Sequence, residues 1–414
     1  MKNGSTKNGL DKPKLRNVNV QRITHQGQPV FLIQDGLRLT ESAIVLPQAL
    51  GPVAMLCDGQ HTLPQMQATL EARYGISLTR PMLEDMVKQF DEALLLESDY
   101  FNQAKQQAVE QYRAAPHRKP ALAGPSYPAD PKRLRTLLRD YLDRLEDVPE
   151  SSPDSRAVVS PHIDYPRGGH VYAAVWASAA SAIAQAELII ILATDHNGGL
   201  GTITPTPQHY ASPLGVMPTD QQLVTELADL LGPEQVFAEE LHHRGEHSIE
   251  LVLVWLQYMR ELAGVKPCPT LPILVGSFHH LMAGQAPPET DPKFGPFIQY
   301  LQGLMQQRRA VIVASGDLAH LGTAFDEPPM SAADYARMKS DDDALLANLC
   351  QGDAAGFFSF MQAGQYRRNV CGLSPFYFTL SALGQTRGQT IAYDRCPADA
   401  SDTSFVSVGG LVWQ

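Results

Sequence analysis

The sequence predicts an α/β protein in which a small winged-helix domain precedes a larger α/β domain. After residue 120, short apolar runs rich in β-branched residues alternate with amphipathic helices, a pattern typical of a sheet covered by helices. Four of these runs end abruptly at a loop that carries a histidine. Before residue 100, two short amphipathic helices follow a group of apolar segments, which is the pattern of a winged helix.

Composition limits the classes of function. The chain has 414 residues, of which 44% are hydrophobic and 19% charged, as in ordinary globular proteins. Its net charge of -11 argues against a general nucleic-acid surface, because no excess of basic residues is available to displace counterions. No stretch approaches the roughly 20 apolar residues that cross a bilayer, and the polar N-terminus lacks a signal-peptide core. We therefore expect a cytoplasmic protein with neither a membrane nor a nucleic acid as partner.

The pattern divides the chain into four segments. They are a polar flexible tail at 1–28, the winged-helix domain at 29–100, a Gln- and Ala-rich linker at 101–120, and the α/β domain at 121–414.

The winged-helix domain is predicted to contain two helices and a final strand. Thr62 caps the first helix, Thr79 precedes the second, and residues 94–97 form the wing strand. On the second helix four acidic residues outnumber two basic ones, so its exposed face would repel phosphate. We therefore predict that this domain binds a protein or peptide rather than DNA.

Residues 36–98 resemble PqqD-like domains, the small peptide-binding modules of peptide-modification systems. The resemblance rests on Asp58-Gly-Gln-His-Thr-Leu, on Tyr74-Gly, and on Val87-Lys-Gln-Phe-Asp-Glu-Ala-Leu-Leu-Leu-Glu. It implies that an extended peptide is captured along the edge of a sheet. The alternative is a winged-helix appendage with a structural role.

Histidines follow four predicted strands of the larger domain. The strands at 157–160, 188–192, 271–275 and 310–314 lead to His162, His196, His279 with His280, and His320, respectively. Open α/β sheets build their sites at the carboxyl ends of the strands. A single histidine there would be read as a structural imidazole, but four of them beside Asp or Gly indicate a functional site.

Two further groups could take part in such a site. His247 and Glu250 lie three residues apart near the start of an apolar helix and therefore share a helical face. Cys371 precedes Gly and an apolar run, so it could lie at a helix N-terminus, where the dipole lowers a thiol pKa. The alternative is that Cys371 is a small buried hydrophobic residue. The five cysteines contain no Cys-x-x-Cys pair, and disulfides are not expected.

The region from Arg118 to Trp413 resembles the MEMO family, whose three-layer α/β fold is that of the class III extradiol dioxygenases. The resemblance rests on Leu122-Ala-Gly-Pro-Ser-Tyr-Pro, Pro161-His162 with Tyr165, His196, Glu246-His-Ser-Ile-Glu250, Ser315-Gly-Asp317-Leu-Ala-His320 and Cys371-Gly-Leu-Ser-Pro. With the PqqD-like segment, the resemblance is to protein B of AmmeMemoRadiSam systems.

The MEMO resemblance implies a metal site. Positions matching His162, His196 and Cys371 surround the metal, which we expect to be iron or copper. Positions matching Asp317 and His320 line the same cavity, and we expect Asp317 to orient His320 for proton transfer. His247 is a further catalytic candidate.

This sequence departs from the related patterns at three positions. A cysteine replaces the carboxylate ligand of the dioxygenases, which argues against ring cleavage. Asp164 and Asp195 add carboxylates to the first two histidine motifs. Each could accept a hydrogen bond from a ligand imidazole, or could itself replace a ligand.

Three functions fit this sequence. The first is a metal-dependent oxidoreductase that acts with a radical SAM protein and an AMMECR-like protein on a peptide or protein, as the resemblance implies. The second is a metal-carrying or peptide-binding adaptor without turnover. The third is an Fe(II)-dependent extradiol-type dioxygenase.

Overall fold

The structure is a computed structural model that describes residues 10–147, 150–284, 287–363 and 368–414. The chain divides into two compact units, Met1–Ala114 and Ala115–Gln414. Over the described ranges, no helix combines the length and the apolar character that a membrane span requires. Residues 1–9 of the predicted tail lie outside the described residues.

The first unit contains a three-stranded antiparallel sheet followed by helices. Its strands pair in the order β1-β2-β3 and are β1 (Val18–His25), β2 (Gln28–Asp35) and β3 (Ala43–Pro47). Its helices are α1 (Gly51–Met55), α2 (Leu63–Tyr74), α3 (Arg80–Glu92) and α4 (Asp99–Ala114). Apolar side chains from the sheet and from the helices form its core, among them Ile33, Met66, Leu83 and Phe90.

Strand β1 lies inside the segment that was expected to be a flexible tail. Gln26 and Gly27 have φ angles of 49° and 75° and form the two-residue turn between His25 and Gln28. Turns with positive φ at both positions favour hairpins, because their twist matches the twist of the strands. The expected tail at 1–28 is therefore corrected, since Val18–His25 is a paired strand.

The helices of the first unit begin as predicted, whereas the wing strand is absent from the described residues. Thr62 accepts a hydrogen bond from the Gln65 N–H, and the Gln65 side chain accepts one from the Thr62 N–H, which completes a capping box. At the expected wing, Leu94 turns the chain with a φ of 57°, and one isolated bridge joins Leu96 to Leu15.

The expected linker at 101–120 is divided between the two units. Helix α4 buries Phe101 in the first unit, and the second unit begins at Ala115. Arg118 is buried and forms an ion pair with the buried carboxylate of Glu250. The local pattern could not predict this boundary, because the partner of Arg118 lies far along the chain.

The second unit contains a mixed eight-stranded sheet. Its order is β11-β13-β4-β10-β5-β9-β6, and β12 also pairs with β13. The strands are β4 (Ala157–Ser160), β5 (Leu188–Thr194), β6 (Ile203–Pro205), β9 (Thr270–Val275), β10 (Ala310–Ser315), β11 (His320–Gly322), β12 (Gly388–Pro397) and β13 (Ser404–Trp413). Strands β7 (Tyr210–Ser212) and β8 (Gly215–Met217) form a separate hairpin. The four predicted strands are β4, β5, β9 and β10, which run parallel at the centre.

Helices cover both faces of this sheet and make a three-layer unit. They are α5 (Pro131–Asp143), α6 (Tyr165–Ser178), α7 (Ala180–Gln185), α8 (Gln221–Leu231), α9 (Pro233–Val236), α10 (His247–Leu262), α11 (His279–Ala283), α12 (Phe294–Gln307), α13 (Ala332–Gln351), α14 (Ala354–Gln362) and α15 (Leu373–Leu383). On β5, Ile190 packs into one apolar core and Ile191 into the other, because alternate side chains point to opposite faces. The α/β class is confirmed.

The carboxyl ends of the four parallel strands lie level with one another. Ser315 of β10 is in register with Ser160 of β4 and with Ala193 of β5, and Thr194 of β5 is in register with Val275 of β9. The loops that follow these strands therefore meet at one edge of the sheet.

Candidate metal centre

Three histidines come together at this edge. His162 follows β4, His196 follows β5, and His247 is the first residue of α10. One ring nitrogen from each lies within 4.8 Å of the others, and the ring centroids are 4.6 to 5.0 Å apart. The structure thus brings together His162 and His196, as expected, and adds His247, which was expected to be catalytic.

The carboxylate of Glu246 orients two of the rings. Its oxygens lie 3.1 Å from Nδ1 of His196 and 2.9 Å from Nδ1 of His247. Glu246 also accepts hydrogen bonds from the first N–H groups of α10, which hold its side chain in place. A carboxylate accepts, so each Nδ1 donates, and Nε2 is the nitrogen left to bind a ligand once it carries no proton.

A serine fixes the third ring. Nδ1 of His162 lies 3.2 Å from the hydroxyl oxygen of Ser315. That hydroxyl donates its only hydrogen to the carbonyl of Ser248 at 2.7 Å, so it can only accept from His162. His162 therefore carries its hydrogen on Nδ1, and its Nε2 is available as a metal ligand.

Charge favours a cation at this point. Burial, together with the neighbouring His196 and His247, holds the pKa of His162 well below its ordinary value. Burial opposes the charge on His196, but Glu246 and Cys371 outweigh it and raise the pKa of His196 well above its ordinary value. Without a metal, a proton on His196 therefore balances Glu246, and a metal ion would replace that proton.

Cys371 supplies a sulfur next to the imidazoles. Its Sγ lies 3.2 Å from Nε2 of His162 and accepts a hydrogen bond from the Asp317 N–H at 3.2 Å. The loops approach so closely that a Cβ on Gly316 would lie 2.3 Å from Gly372, which explains the glycines. Cys371 lies just before α15, but burial raises its pKa, so the metal-free protein keeps it as a thiol.

Asp317 and His320 do not form the expected pair. Asp317 accepts the His162 N–H at 2.8 Å, and its other oxygen lies 3.9 Å from Nε2 of His162. His320 instead donates from Nδ1 to the carbonyl of Asn369 at 3.0 Å. Burial raises the pKa of Asp317 to about 6 and lowers that of His320 to about 4, so His320 is a neutral imidazole at neutral pH.

A cavity of about 230 Å³ adjoins the sulfur and one imidazole. Its polar lining residues are Thr194, Asp195, His196, Ser277, His279, Asn369, Cys371 and Ser374, and its apolar ones are Phe278, Met282, Met361, Val370 and Leu373. Pockets that hold drug-sized molecules measure roughly 300 to 1,000 Å³, so this cavity suits a smaller group such as one side chain.

In the part of the chain that the structure describes, the two added carboxylates make no hydrogen bond to the three converging imidazoles. Asp164 caps α6 and pairs with Arg167, so its contacts lie within that helix. Asp195 bonds Nδ1 of His242 at 2.8 Å. Among the described residues, neither carboxylate accepts a hydrogen bond from His162, His196 or His247.

The sequence did not predict which residues orient the three imidazoles. Glu246 and Ser315 belong to motifs of the sequence, but the pattern gave neither of them an orienting role. The adjacent Glu246-His247 pair at a helix start was an available signal, since a capping carboxylate lies close to the next side chain.

Known proteins resemble the chain over most of its length. The family model described as Memo-like protein matches residues 118–412. A MEMO1 family protein of Aquifex aeolicus is 24% identical over 407 residues, covering 97% of this chain and 100% of the relative. A MEMO1 family protein of Thermus thermophilus is 26% identical and covers 85% of this chain and 98% of the relative. A MEMO1 family protein of Methanosarcina mazei is 30% identical and covers 69% of this chain and 93% of the relative.

Proposed function

We propose that this chain, which belongs to the Memo-like family, binds one iron or copper ion and acts as a metal-dependent oxidoreductase on a peptide or protein. The ligands would be His162, His196 and His247, with Cys371 as the fourth. The observation that carries the proposal is that each imidazole has its Nδ1 committed to an acceptor while the three rings converge.

The donor set fits these metals. Imidazole suits iron, copper and zinc, and a thiolate favours softer ions over magnesium or calcium. Bound at this point, iron or copper would supply redox or Lewis-acid chemistry. The assignment of His247 changes from catalytic residue to ligand, because Glu246 orients it in the same way as His196.

Residues around the ligands would handle the substrate and its protons. Five apolar side chains line the cavity together with Cys371, and an apolar lining disfavours water beside the sulfur. Among the described residues, hydrogen bonds of the His320 ring involve only Nδ1, and Asn369, whose carbonyl accepts from that Nδ1, lines the cavity. We assign to His320 the acceptance of a proton from the substrate at Nε2.

The partners in this proposal are a radical SAM protein and an AMMECR-like protein, as the family resemblance suggests. In the described part of the first unit, β1 and β3 each pair with β2 alone, so a peptide could add a strand at either edge. This unit would present the peptide to its partner enzymes.

Metal analysis tests the proposal. Protein purified anaerobically from its own host should contain at least about one iron or copper ion per chain, bound by this donor set. His162→Ala and Cys371→Ala should each lose it, whereas the exposed control His25→Ala should not. Retention of the metal by both site variants would contradict the proposal.

Asp317 favours a second candidate, the Fe(II)-dependent extradiol-type dioxygenase. Its second oxygen, 3.9 Å from Nε2 of His162, offers the carboxylate ligand that such enzymes use. Asp317→Asn should keep the metal if Cys371 is the fourth ligand. If this variant loses iron while Cys371→Ala keeps it, the dioxygenase becomes the better assignment.

A further inference from the structure

A second group of metal-ligating side chains lies beside the first. One carboxylate oxygen each from Asp195 and Glu239 and one ring nitrogen of His242 lie within 4.8 Å of one another. The closest pair is Oδ2 of Asp195 and Nδ1 of His242, at 2.8 Å. None of these residues belongs to the ligand set described above.

Local structure brings the three together. Residues 240–244 form a 3₁₀ helix that Glu239 precedes. In a 3₁₀ helix side chains three positions apart lie above one another, which places Glu239 and His242 on the same side. Asp195 reaches them from the end of β5, the strand that also delivers His196.

Each carboxylate is held by a loop N–H and keeps further lone pairs. Oδ1 of Asp195 accepts the Asn197 N–H at 3.1 Å, while Oδ2 faces His242. Both oxygens of Glu239 lie 3.1 Å from the Gly199 N–H. Hydrogen bonds of this kind orient carboxylates that bind metals.

Among the described residues, no lysine or arginine forms an ion pair with a carboxylate of this group. The side chain of Asp195 is 0% exposed, and its one ion pair among the described residues is with His242. The side chain of Glu246 is 2% exposed, and its ion-pair partners among the described residues are both histidines. Over the described ranges, Glu239 has no ion pair with a lysine or arginine. One divalent ion at the first centre would balance the charges of Glu246 and of a Cys371 thiolate. The negative charges of Asp195 and Glu239 would remain, and a protonated His242 can offset only one of them.

We propose that Asp195, Glu239 and His242 bind a second divalent cation of the first transition series. Two carboxylates and one imidazole are a donor set for Mn²⁺, Fe²⁺, Co²⁺ or Zn²⁺. Calcium and magnesium prefer oxygen ligands alone, so His242 disfavours them. The site stands on its own residues and does not require the first centre to be occupied.

The charge on His242 is consistent with this assignment. Burial opposes protonation, but Asp195, Glu239 and Glu246 outweigh it and raise the pKa of His242 above its ordinary value. The same negative potential that attracts a proton would attract a metal ion.

Cobalt(II) binding to the full-length, metal-free chain tests the proposal. Equilibrium dialysis against excess Co²⁺ should give about two ions per chain, one for each donor set. Glu239→Gln should lower this to about one and leave the near-ultraviolet thiolate-to-cobalt band unchanged, because that band reports Cys371. The matched control is Glu234→Gln, an exposed acidic residue of the preceding helix. A thermal melt checks that each variant is folded.

A second variant separates the two centres. Cys371→Ser should lose the thiolate band. It should still bind the cobalt ion of the second site, which is the ion that Glu239→Gln removes. Equal cobalt content in the wild type, Glu239→Gln and Glu234→Gln would overturn the second site. A missing thiolate band in the wild type would count against the first centre alone, because the loss caused by Glu239→Gln would still be measurable. His242→Gln should reproduce the loss caused by Glu239→Gln, and an unchanged content would also overturn the site.

Discussion

The sulfur of Cys371 lies 3.2 Å from Nε2 of His162, although 209 residues separate them in the sequence. The contact joins the loop after β4 to the residues that precede α15. It places a thiol where the dioxygenase pattern has a carboxylate, and the metal chemistry that we propose for the site depends on it.

Metal loading should release protons. The pKa values of the Cys371 thiol and of His196 are both raised in the metal-free protein, so both groups hold a proton that a metal must displace. At pH 7 we expect release of about two protons per ion, measured by calorimetry in buffers of different ionisation enthalpy. Cys371→Ser should release about one fewer, and equal release by the two proteins would contradict the assignment of Cys371.

Glu246→Gln should weaken metal binding by about 10- to 100-fold, as the loss of residues that orient ligands does elsewhere. Glutamine keeps an oxygen that can cap α10, so the fold should persist, but it cannot match the carboxylate at two imidazoles. The control Glu261→Gln, on the same helix, removes a partner of Arg135 far from the site. Competition with a chromogenic chelator measures both affinities, and equal affinities would argue against orientation by Glu246.

Asp317→Asn should stabilise the metal-free protein at high pH. Burial raises the folded pKa of Asp317 from 3.8 to about 6, so its favourable contribution is present below pH 3.8 and is lost as pH rises through 6. Asparagine keeps the acceptor for the His162 N–H without the charge. The variant should exceed the wild type by up to about 3 kcal/mol at pH 8 and match it near pH 4. Urea unfolding at both pH values checks this, and a gap that does not change with pH would contradict it.

His320→Gln should separate an enzyme from an adaptor. The variant should keep its metal and its melting temperature at pH 7, because the native His320 is neutral there. It should lose turnover by about two to four orders of magnitude if His320 transfers a proton. Complementation in the host is the readout, with the exposed His170→Gln as control. Full complementation would favour the adaptor, and loss of the metal would make His320 a ligand.

Arg118→Leu should destabilise the second unit by about 3 to 5 kcal/mol, because it leaves the buried carboxylate of Glu250 without its cation. The N–H groups of Ala121 and Leu122 also bond Glu250, so this carboxylate fixes the beginning of the unit. Arg135→Leu, which breaks a more exposed pair with Glu261, should cost about 1 kcal/mol or less. Similar losses in the two variants would contradict a structural role for residues 115–120.

The sequence could predict those parts of the fold and site that depend on local pattern. Apolar runs that end at His162 and His196 identified parallel strands whose carboxyl ends must share an edge. The pairing of His320 could not be predicted, because a main-chain carbonyl, that of Asn369, holds it, and such bonds leave no trace in side-chain identity. Strand β1 was missed because its hairpin depends on the backbone angles at Gln26 and Gly27.

X-ray absorption at the metal edge tests the proposed ligand set most directly. For protein purified anaerobically from its host, we expect about three imidazole nitrogens and about one sulfur among the atoms bound directly to the metal. Cys371→Ser, loaded with excess metal, should lack the sulfur shell while the imidazole scattering remains, because the serine hydroxyl can take the fourth position that alanine leaves without a ligand. A wild-type spectrum with no sulfur shell, or with oxygen in place of the imidazole nitrogens, would contradict this ligand set.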